Sequence, residues 1–316
     1  MASNILVIGG TYFAGRVFSL LAQDEGNRVT VMNRGHYSMK GTGIAELRCD
    51  RRDTAALQQL RQQPQLQDHY DAVVDFCAYE PGDVRTIFEY LPCRFDRYIY
   101  VSTPDVTKPS REVRDEDSQV MEIQPQDEVG LYTWKKLQLE SELVTAAHAA
   151  GAGYTIIRPA FIFGPYNYAP RESWYVQNII QNGAVLHPVD ATGKFNMVYV
   201  KDLARAILTC AADSRAINQT YVVSAPEVLD YNSFIEAMKA VADRDFQLIP
   251  IQVADVLRQN QPLPFPLTES ENELFDGTKI TRELGFQYTP FVPNLKIAYD
   301  AFREIYDRRS QEERKG

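Results

Sequence analysis

The sequence has few of the residues from which metal centres, disulfide frameworks and membrane spans are built. Its 316 residues include four scattered cysteines without a Cys-x-x-Cys pair, and four histidines that show no spacing typical of metal ligands. We therefore predict no metal site and expect reduced thiols rather than disulfides. No apolar run approaches the roughly 20 residues of a membrane-spanning helix. The run Ile5–Ile8 near the N-terminus is too short for a signal peptide.

Positive charge is also scarce, because 33 lysines and arginines stand against 42 aspartates and glutamates, a net charge of −9. Such a chain lacks the broad basic surface that binds nucleic acid or anionic lipid. We therefore expect a cytoplasmic protein that acts on a small molecule, without a membrane or nucleic-acid partner. The composition, 45% hydrophobic and 24% charged residues, is that of an ordinary globular protein, and the length suggests about two domains.

Short apolar runs alternate with helix-length segments through the first half of the chain. Near-continuous β-branched runs of this kind are typical of a parallel sheet that is covered on both faces. The βαβα order predicts an α/β fold with a doubly wound parallel sheet, the Rossmann fold. The predicted elements are strands at Ile5–Ile8, Val29–Met32, Asp71–Phe76, Tyr98–Val101 and Thr155–Ile157, and a long helix from about Leu131 to Ala149.

Beyond Gly164 the elements become shorter and mixed, apart from one further strand at Met197–Val200 and the helix after it. This change indicates a second, smaller lobe. We predict an NAD(P)-binding Rossmann domain formed by residues 1–163 and 195–226, and a smaller substrate-binding lobe formed by residues 164–194 and 227–316.

A glycine-rich turn follows the first strand and opens the first helix, where Rossmann folds hold the pyrophosphate of a dinucleotide. Glycine lets the backbone approach the phosphates closely, and the helix N-terminus offers free N–H groups and partial positive charge. Tyr12 stands where the usual fingerprint has its middle glycine. The predicted cofactor contacts in this turn are Gly9, Thr11, Tyr12, Phe13 and Gly15.

The end of the second strand bears on the choice between NAD and NADP. An NAD site expects an acidic residue there for the ribose hydroxyls, whereas this chain has Asn33 and Arg34. An arginine suits a 2′-phosphate, so NADP is favoured over NAD unless Arg34 is an ordinary exposed side chain. Further cofactor contacts are predicted after later strands, at Asp50, Arg51, Cys77 and Ala78, although Asp50 is equally typical of a loop.

Tyr132 and Lys136 are four residues apart and share one face of the long predicted helix. The ordinary pKa of tyrosine, near 10, is too high for proton transfer at neutral pH. A cation about 4 Å away contributes roughly 4 kcal/mol at an effective dielectric constant of 20, or about three pKa units. Lys136, helped by an oxidised nicotinamide, is therefore predicted to lower the pKa of Tyr132. Such pairs also occur on amphipathic helix surfaces, but this helix follows a strand that ends at Ser102 and Thr103, where a substrate oxygen would be held.

Several segments, in a fixed order, resemble the extended short-chain dehydrogenase/reductases of the NAD-dependent epimerase/dehydratase family. They are Gly9–Gly15, Tyr100–Thr103, Tyr132-x-x-x-Lys136, Arg158–Pro165, Val198–Ala204 and Lys279–Gly285. The glycine turn and the segment from Asn167 to Trp174 are similar to an atypical branch that includes the chloroplast stem-loop RNA-binding proteins.

The resemblance implies an NAD(P)-dependent epimerase or reductase that acts at a hydroxyl or keto carbon of a sugar, above all a nucleotide sugar, as a homodimer. It implies that Tyr132 is the general acid/base and that Lys136 holds the nicotinamide ribose and tunes the tyrosine. Thr103, rather than Ser102, would orient the substrate oxygen. Phe161 is an implied cofactor contact.

Dehydratases of the family carry Thr-Asp-Glu where this chain has Thr103-Pro104-Asp105. Since Pro104 has no proton to give, water elimination by that mechanism is not expected. Asp105 is then either a substrate contact or a loop residue. The other substrate candidates are Arg158 and Arg171, either of which could meet a phosphate or form a structural salt bridge, and Trp174, which could stack on a sugar or base or pack a helix.

A second interpretation stays open from the sequence alone. The chain could be a regulatory or RNA-binding protein that keeps the cofactor fold without catalysis. The joint presence of Thr103, Tyr132 and Lys136, together with the net charge of −9, favours the enzyme.

Overall fold

The helices and strands follow the alternating order that the sequence predicts. The computed structural model describes residues 2–313, with side chains through Arg308. Its strands are β1 Asn4–Ile8, β2 Arg28–Asn33, β3 Ala45–Arg48, β4 His69–Tyr70, β5 Ala72–Asp75, β6 Arg94–Phe95, β7 Arg97–Val101, β8 Gly153–Pro159, β9 Phe161–Phe163, β10 Ala184–Pro188, β11 Met197–Tyr199, β12 Gln219–Val223 and β13 Gln247–Ile251. Its helices are α1 Phe13–Asp24, α2 Thr54–Gln59, α3 Asp83–Tyr90, α4 Glu128–Ala150, α5 Glu172–Asn182, α6 Val200–Ala212, α7 Tyr231–Val241, α8 Val253–Arg258, α9 Thr278–Leu284 and α10 Phe291–Glu313.

A seven-stranded sheet in the order β12-β8-β7-β5-β1-β2-β3 forms the centre of the fold, and all its pairings are parallel. The chain runs outward from β1 through β2 to β3, and then returns to the other side of β1 at β5. The strand order therefore reverses between β1 and β5. In doubly wound sheets, ligands bind at the carboxyl ends of the strands beside such a reversal. The predicted Rossmann fold is confirmed.

Burial on both faces explains the continuous apolar runs of the central strands. In β1, Ile5 and Val7 belong to one core cluster and Leu6 and Ile8 to the other, because successive side chains point to opposite faces. Helices α1 and α6 pack against each other on the first side, and α3 and α4 pack on the second. Alternating polar residues would indicate a sheet with one face exposed to solvent. The central strands of this sheet are covered on both faces, so their residues are apolar throughout.

Helix α4 begins three residues before the predicted start at Leu131. The side chain of Asp127 accepts a hydrogen bond from the Gly130 amide at 2.8 Å and so caps the helix N-terminus. Gly151, with a φ of +67°, ends the helix in the left-handed conformation that favours glycine. The early start places Tyr132 in the first two turns, at the carboxyl edge of the sheet.

Apart from α6 and β12, the segments after β8 form smaller structures beside this sheet. Strand β9 pairs with β11, and β10 pairs with β13, in both cases parallel. Helix α10 packs on α5 and α7 over a cluster of aromatic rings, in which Phe195 and Phe265 stack at 4.1 Å. None of the described helices combines the length and the apolar character that crossing a bilayer requires.

Candidate functional site

A cavity of about 880 Å³ lies at the carboxyl ends of β1, β2, β5 and β7, where the strand order reverses. This volume is in the range of small-molecule and cofactor sites. It brings together most of the residues that the sequence singles out. They are Gly9, Thr11, Tyr12, Phe13, Gly15, Asn33, Arg34, Asp50, Arg51, Cys77, Thr103, Asp105, Tyr132, Lys136, Phe161 and Arg171.

The glycine turn between β1 and α1 leaves no room for side chains at two positions. A Cβ on Gly9, whose φ is +81°, would lie 2.8 Å from the Cys77 sulfur, and a Cβ on Gly15 would lie 2.4 Å from the Gly9 carbonyl oxygen. Tyr12 occupies the N-cap of α1 but makes no side-chain cap, so no side chain occupies the amides that open the helix. Close backbone and uncapped helical amides suit an anion such as a pyrophosphate.

Arg34 is exposed at the rim of the cavity, where β2 ends. Within residues 2–313 its side chain has neither an ion-pair nor a hydrogen-bond partner. Its neighbour Asn33 is occupied: its side chain accepts from the Gly35 amide at 2.5 Å and donates to Glu46 at 3.1 Å. Among the described residues, the Arg34 guanidinium is thus free to bind an anionic group at this rim.

Arg51 reaches the cavity wall, but its guanidinium is already paired. It donates to both carboxylate oxygens of Asp75, at 3.0 and 2.6 Å, and to the Tyr98 hydroxyl at 3.2 Å. This buried pair ties the loop after β3 to the end of β5. Arg51 therefore lines the cavity with a guanidinium that is already paired, and its contact with the cofactor stays a prediction. Asp50 beside it keeps its carboxylate at the surface, where it accepts from the Arg52 amide at 3.0 Å.

Lys136 lies fully buried beneath the cavity. Its ammonium donates to the Ala78 carbonyl at 3.1 Å and to the Val101 carbonyl at 2.9 Å. It also lies 4.9 Å from the ring centre of Tyr79 and 5.9 Å from that of Tyr132. Ala78 itself does not line the cavity, so its predicted cofactor contact is corrected: its carbonyl fixes the lysine.

The two ionisable groups of the Tyr-x-x-x-Lys pair have pKa values moved by burial. Desolvation lowers the pKa of Lys136 to about 8 and raises the pKa of Tyr132 to about 12, with further contributions to Tyr132 from Tyr168 and Asp105. The predicted lowering of the Tyr132 pKa by Lys136 is therefore wrong for the protein groups alone. The ammonium faces two backbone carbonyls and is not among the groups that shift the pKa of Tyr132, which is set chiefly by burial. A lowering by Lys136 together with an oxidised nicotinamide stays a prediction.

Thr103 and Asp105 form the substrate-side wall next to Tyr132. The Thr103 hydroxyl donates to the Asp105 carboxylate at 2.8 Å. The carboxyl groups of Asp105 and Glu273 are also hydrogen-bonded, and burial together with the nearby Asp105 charge raises the pKa of Glu273 to about 8. Arg114 holds the other side of Glu273 at 2.6 Å. Asp105 is thus hydrogen-bonded to both Thr103 and Glu273, and its role as a substrate contact stays a prediction.

Arg171, from the crossover between β9 and α5, lies inside the cavity above the Phe161 ring, with its guanidinium carbon 4.4 Å from the ring centre. Burial lowers the pKa of this arginine. Within the described part of the chain, its guanidinium has no carboxylate within ion-pair distance. A buried guanidinium without a paired carboxylate can bind an anionic ligand group.

Two of the predicted substrate residues are absent from the cavity wall. Arg158 pairs with Glu140 of α4 at 3.0 and 2.7 Å, and both side chains are 7% exposed. Trp174 packs edge-on against Tyr175 at 5.0 Å beside the aromatic core. Both predictions are corrected, because each side chain is committed to packing between elements.

Sequence reasoning also missed several residues of the wall. Tyr37, Tyr79, Tyr168 and Phe275 line the cavity, and Glu273 contacts it through Asp105. The first three are exposed tyrosines in or beside loops, and they approach the glycine turn only in the folded structure. Glu273 and Phe275 come from a distant part of the chain, and no local sequence pattern indicates that they reach the cavity.

One group of potential metal ligands occurs within the described residues: His69, Asp71 and Asp96. It lies outside the cavity wall. The His69 ring nitrogen is 2.9 Å from Asp96, and Asp71 accepts from the Asn4 amide at 2.6 Å. These contacts already occupy the group, and the absence of a metal stays a prediction.

A doubly wound sheet with a glycine turn at its reversal point defines a dinucleotide-binding Rossmann protein. The buried lysine and nearby tyrosine at the same edge narrow this class further. A family model agrees over residues 5–224: the chain belongs to the NAD dependent epimerase/dehydratase family.

Individual relatives are more distant. The chain is 26% identical over 248 residues to the chloroplast stem-loop binding protein of 41 kDa b of Arabidopsis thaliana, a match that covers 74% of this chain and 62% of that protein. The fold matches a UDP-glucose 4-epimerase with UDP-glucose from Thermotoga maritima, with a TM-score of 0.72, 18% identity and coverage of 96% of this chain and 99% of that one. It also matches a UDP-glucuronic acid 4-epimerase from Bacillus cereus in complex with UDP-glucuronic acid and NAD, with a TM-score of 0.73, 14% identity and coverage of 96% and 100%.

Proposed function

We propose that the protein is an NAD(P)-dependent epimerase or reductase that acts at a hydroxyl or keto carbon of a nucleotide sugar. One observation carries the proposal. Thr103, Tyr132 and Lys136 line the same cavity as the glycine turn, at the reversal point of a Rossmann sheet. Family membership supports the cofactor class. The presence of Thr103, Tyr132 and Lys136 together on the cavity wall supports proton transfer at a substrate oxygen.

We assign roles to the three side chains from the family and from their positions on the cavity wall. The Thr103 hydroxyl orients the substrate oxygen, and the Tyr132 hydroxyl exchanges a proton with it. A bound nicotinamide supplies the hydride acceptor and, when oxidised, a positive charge that favours ionised Tyr132. Lys136, fixed by two carbonyls, adds positive potential below the tyrosine and is close enough to the cavity to hold a ribose hydroxyl.

A nucleotide sugar is proposed as substrate on the strength of Arg171. Its guanidinium lies in the cavity without a carboxylate partner among the described residues, so it suits the diphosphate of such a ligand. Two proteins with the same fold are described with UDP-glucose and UDP-glucuronic acid.

We test the activity by incubating the purified protein with NAD⁺ or NADP⁺ and either UDP-glucose or UDP-glucuronic acid. Product sugars are separated by chromatography, and reduced cofactor is followed by absorbance. Conversion of either sugar that is lost in Tyr132→Phe supports the proposal. Binding of neither dinucleotide, measured by calorimetric titration, would contradict it.

NADP is proposed as the preferred cofactor because Arg34, at the end of β2, lines the cavity and has no ion-pair or hydrogen-bond partner among the described residues. NADPH should bind about tenfold more tightly than NADH, which is about 1.4 kcal/mol for one charge-assisted contact. Arg34→Ala should remove this preference and leave NADH binding nearly unchanged. Arg28→Ala, at the opposite end of β2, is the matched control. Equal dissociation constants for the two cofactors in the unmutated protein would refute the role of Arg34.

The division of labour along the chain is part of the proposal. Residues 1–163 and 195–226 would hold the cofactor and residues 164–194 and 227–316 the substrate, with Met1 and residues 314–316 outside the described part. A homodimer is proposed as the working form, and light scattering coupled to size-exclusion chromatography measures its mass.

A further inference from the structure

Three tyrosines from three separate loops stack in a row at the mouth of the cavity. The ring of Tyr12, in the glycine turn, lies 4.6 Å from that of Tyr37 with an interplanar angle of 13°, and 5.4 Å from that of Tyr168 with an angle of 21°. Tyr37 belongs to the loop after β2, and Tyr168 to the crossover between β9 and α5. We call this row the tyrosine ladder.

The ladder is exposed to solvent on its outer side and faces the cavity on its inner side. The three residues are 42%, 53% and 65% exposed for Tyr12, Tyr37 and Tyr168, and all three line the cavity. A large aromatic ring at an exposed position in a loop contributes little to stability unless it packs against another ring. Phe13 adds an edge-on contact to Tyr168 at 5.8 Å. The ladder therefore links two flanking loops through the glycine turn.

Both flanking loops are fixed at their bases, and their aromatic rings come together at the ladder. In the crossover, the buried Glu172 carboxylate accepts from the Gly164 amide at 2.8 Å and from the Asn167 side chain at 3.0 and 3.1 Å. In the loop after β2, Arg16 of α1 donates to the Ser38 carbonyl at 3.1 Å. Because both loops are fixed at their bases and their tyrosine rings stack on Tyr12, the stack can act as a latch that holds the two loop tips together.

We propose that Tyr37 and Tyr168 are cofactor-retaining residues, which latch the two flanking loops across the glycine turn by stacking on either side of Tyr12. A dinucleotide bound along the turn then leaves only when the stack opens. The inference rests on the proposed function solely in requiring that a nicotinamide dinucleotide binds here.

Retention of the cofactor narrows the reaction class toward epimerisation. In an epimerisation the hydride leaves the substrate carbon for the nicotinamide and returns to the opposite face of the same carbon. The proton that Tyr132 removes from the hydroxyl returns to the same oxygen. No electrons leave the site, so the cofactor need not exchange. A reductase must release oxidised cofactor in every turnover, and a latch would slow that step.

The test measures dissociation of NADH or NADPH by stopped-flow fluorescence, with excess ADP-ribose as the competitor that prevents rebinding. Tyr37→Ala and Tyr168→Ala should each raise the dissociation rate roughly threefold to tenfold, the effect of losing one stacked aromatic pair. Tyr168→Phe keeps the ring and should dissociate at the unmutated rate. Tyr166→Ala is the matched control, because Tyr166 lies in the same crossover but contacts Arg16 instead of the ladder.

The outcomes separate the latch from the proposed function. If the dinucleotide binds and both alanine variants release it at the unmutated rate, the latch is wrong and the proposed function stands. An equal acceleration in Tyr166→Ala would also overturn the latch, because the effect would then belong to the whole loop. If neither cofactor binds the unmutated protein, the latch and the proposed function fail together. Thermal unfolding of each variant verifies that it is folded.

Discussion

Tyr132, Lys136 and Thr103 are the side chains whose substitution distinguishes an enzyme from a cofactor-binding protein. Tyr132→Phe removes only a hydroxyl, so fold and cofactor affinity should remain while turnover falls roughly 10² to 10⁴-fold. Lys136→Met should reduce both turnover and cofactor affinity, because the ammonium is proposed both to support Tyr132 and to hold a ribose hydroxyl of the cofactor. Thr103→Ala should lower turnover less than Tyr132→Phe, since it removes an orienting contact. Steady-state kinetics on the sugar found active, with cofactor titrations, measure all three.

Ser102→Ala serves as the control for this set. Its hydroxyl lies beside Thr103 on the cavity wall and has no hydrogen-bond partner among the described residues. If Thr103 rather than Ser102 orients the substrate oxygen, loss of the Ser102 hydroxyl should change turnover little. Near-normal turnover in Tyr132→Phe would mean that the constellation is vestigial.

At the level of single residues, the sequence predicted which residues lie in the site better than it predicted which groups those residues contact. The position of Lys136 was predictable from its spacing to Tyr132, and both line the cavity. The carbonyls that hold its ammonium belong to β7 and to the loop after β5, and neither has a side-chain signal. Arg158 and Arg171 look alike in the sequence. Only the structure shows the difference between them. Arg158 has a buried carboxylate within 2.7 Å, whereas Arg171 has none within ion-pair distance among the described residues.

Between elements, the Arg158–Glu140 pair joins β8 to α4, and its removal should cost stability rather than activity. Breaking a buried pair leaves an uncompensated charge, so Arg158→Met should lower the free energy of unfolding by about 3–5 kcal/mol. The double variant Arg158→Met/Glu140→Leu should recover much of this loss, because two apolar side chains fill the site. Urea unfolding measures both.

The exposed pair of Lys135 with Glu80, also at 2.8 Å, provides the comparison. Lys135→Met should change the free energy of unfolding by at most about 1 kcal/mol. If Arg158→Met instead left stability intact and weakened substrate binding, the role of Arg158 would revert to that of a substrate contact.

The crossover that carries Tyr168 and Arg171 should respond to pH through Glu172. Burial raises the pKa of this carboxyl to about 7, despite hydrogen bonds from Gly164 and Asn167 that favour its ionised form. Between about pH 4.5 and 7 the unfolded chain therefore binds fewer protons than the folded one, so this contribution to stability decreases as pH rises. The contribution is fully present below pH 4.5.

Unfolding by urea at several pH values checks this expectation against Glu172→Gln, which cannot ionise but still offers an oxygen to Gly164. The unmutated protein should lose up to about 3 kcal/mol relative to the variant as pH rises across this window. A difference that stays constant with pH would show that Glu172 does not titrate there.

Elements were predictable where their signals are local. The apolar runs located β1, β2, β5, β7 and β8, because strands buried on both faces must be apolar throughout. The start of α4 was placed too late, since its cap is a polar residue before the apolar pattern begins. The tyrosine ladder depends on contacts between Tyr12 and residues 25 and 156 positions later in the chain, which a periodic pattern cannot encode.

Across the whole molecule, charge provides the test between an enzyme and an RNA-binding protein. The Arabidopsis relative is named as a stem-loop binding protein, and this chain spans 62% of its length. With a net charge of −9, the chain should give no gel shift with a stem-loop RNA at physiological salt. A shift that fades with added salt, in a protein that turns over no sugar, would instead favour the regulatory interpretation.

The sheet order has a consequence for how the chain is made. Strand β8 ends at Pro159, but its outer neighbour β12 begins only at Gln219. The two positions are 60 residues apart. At translation rates of about 5–20 residues per second, roughly 3 to 12 s therefore pass between the synthesis of β8 and that of β12. During that interval its backbone N–H and C=O groups form an open template for another nascent chain on the same polysome. Aggregation during synthesis should therefore begin at β8, an edge that the finished protein no longer exposes.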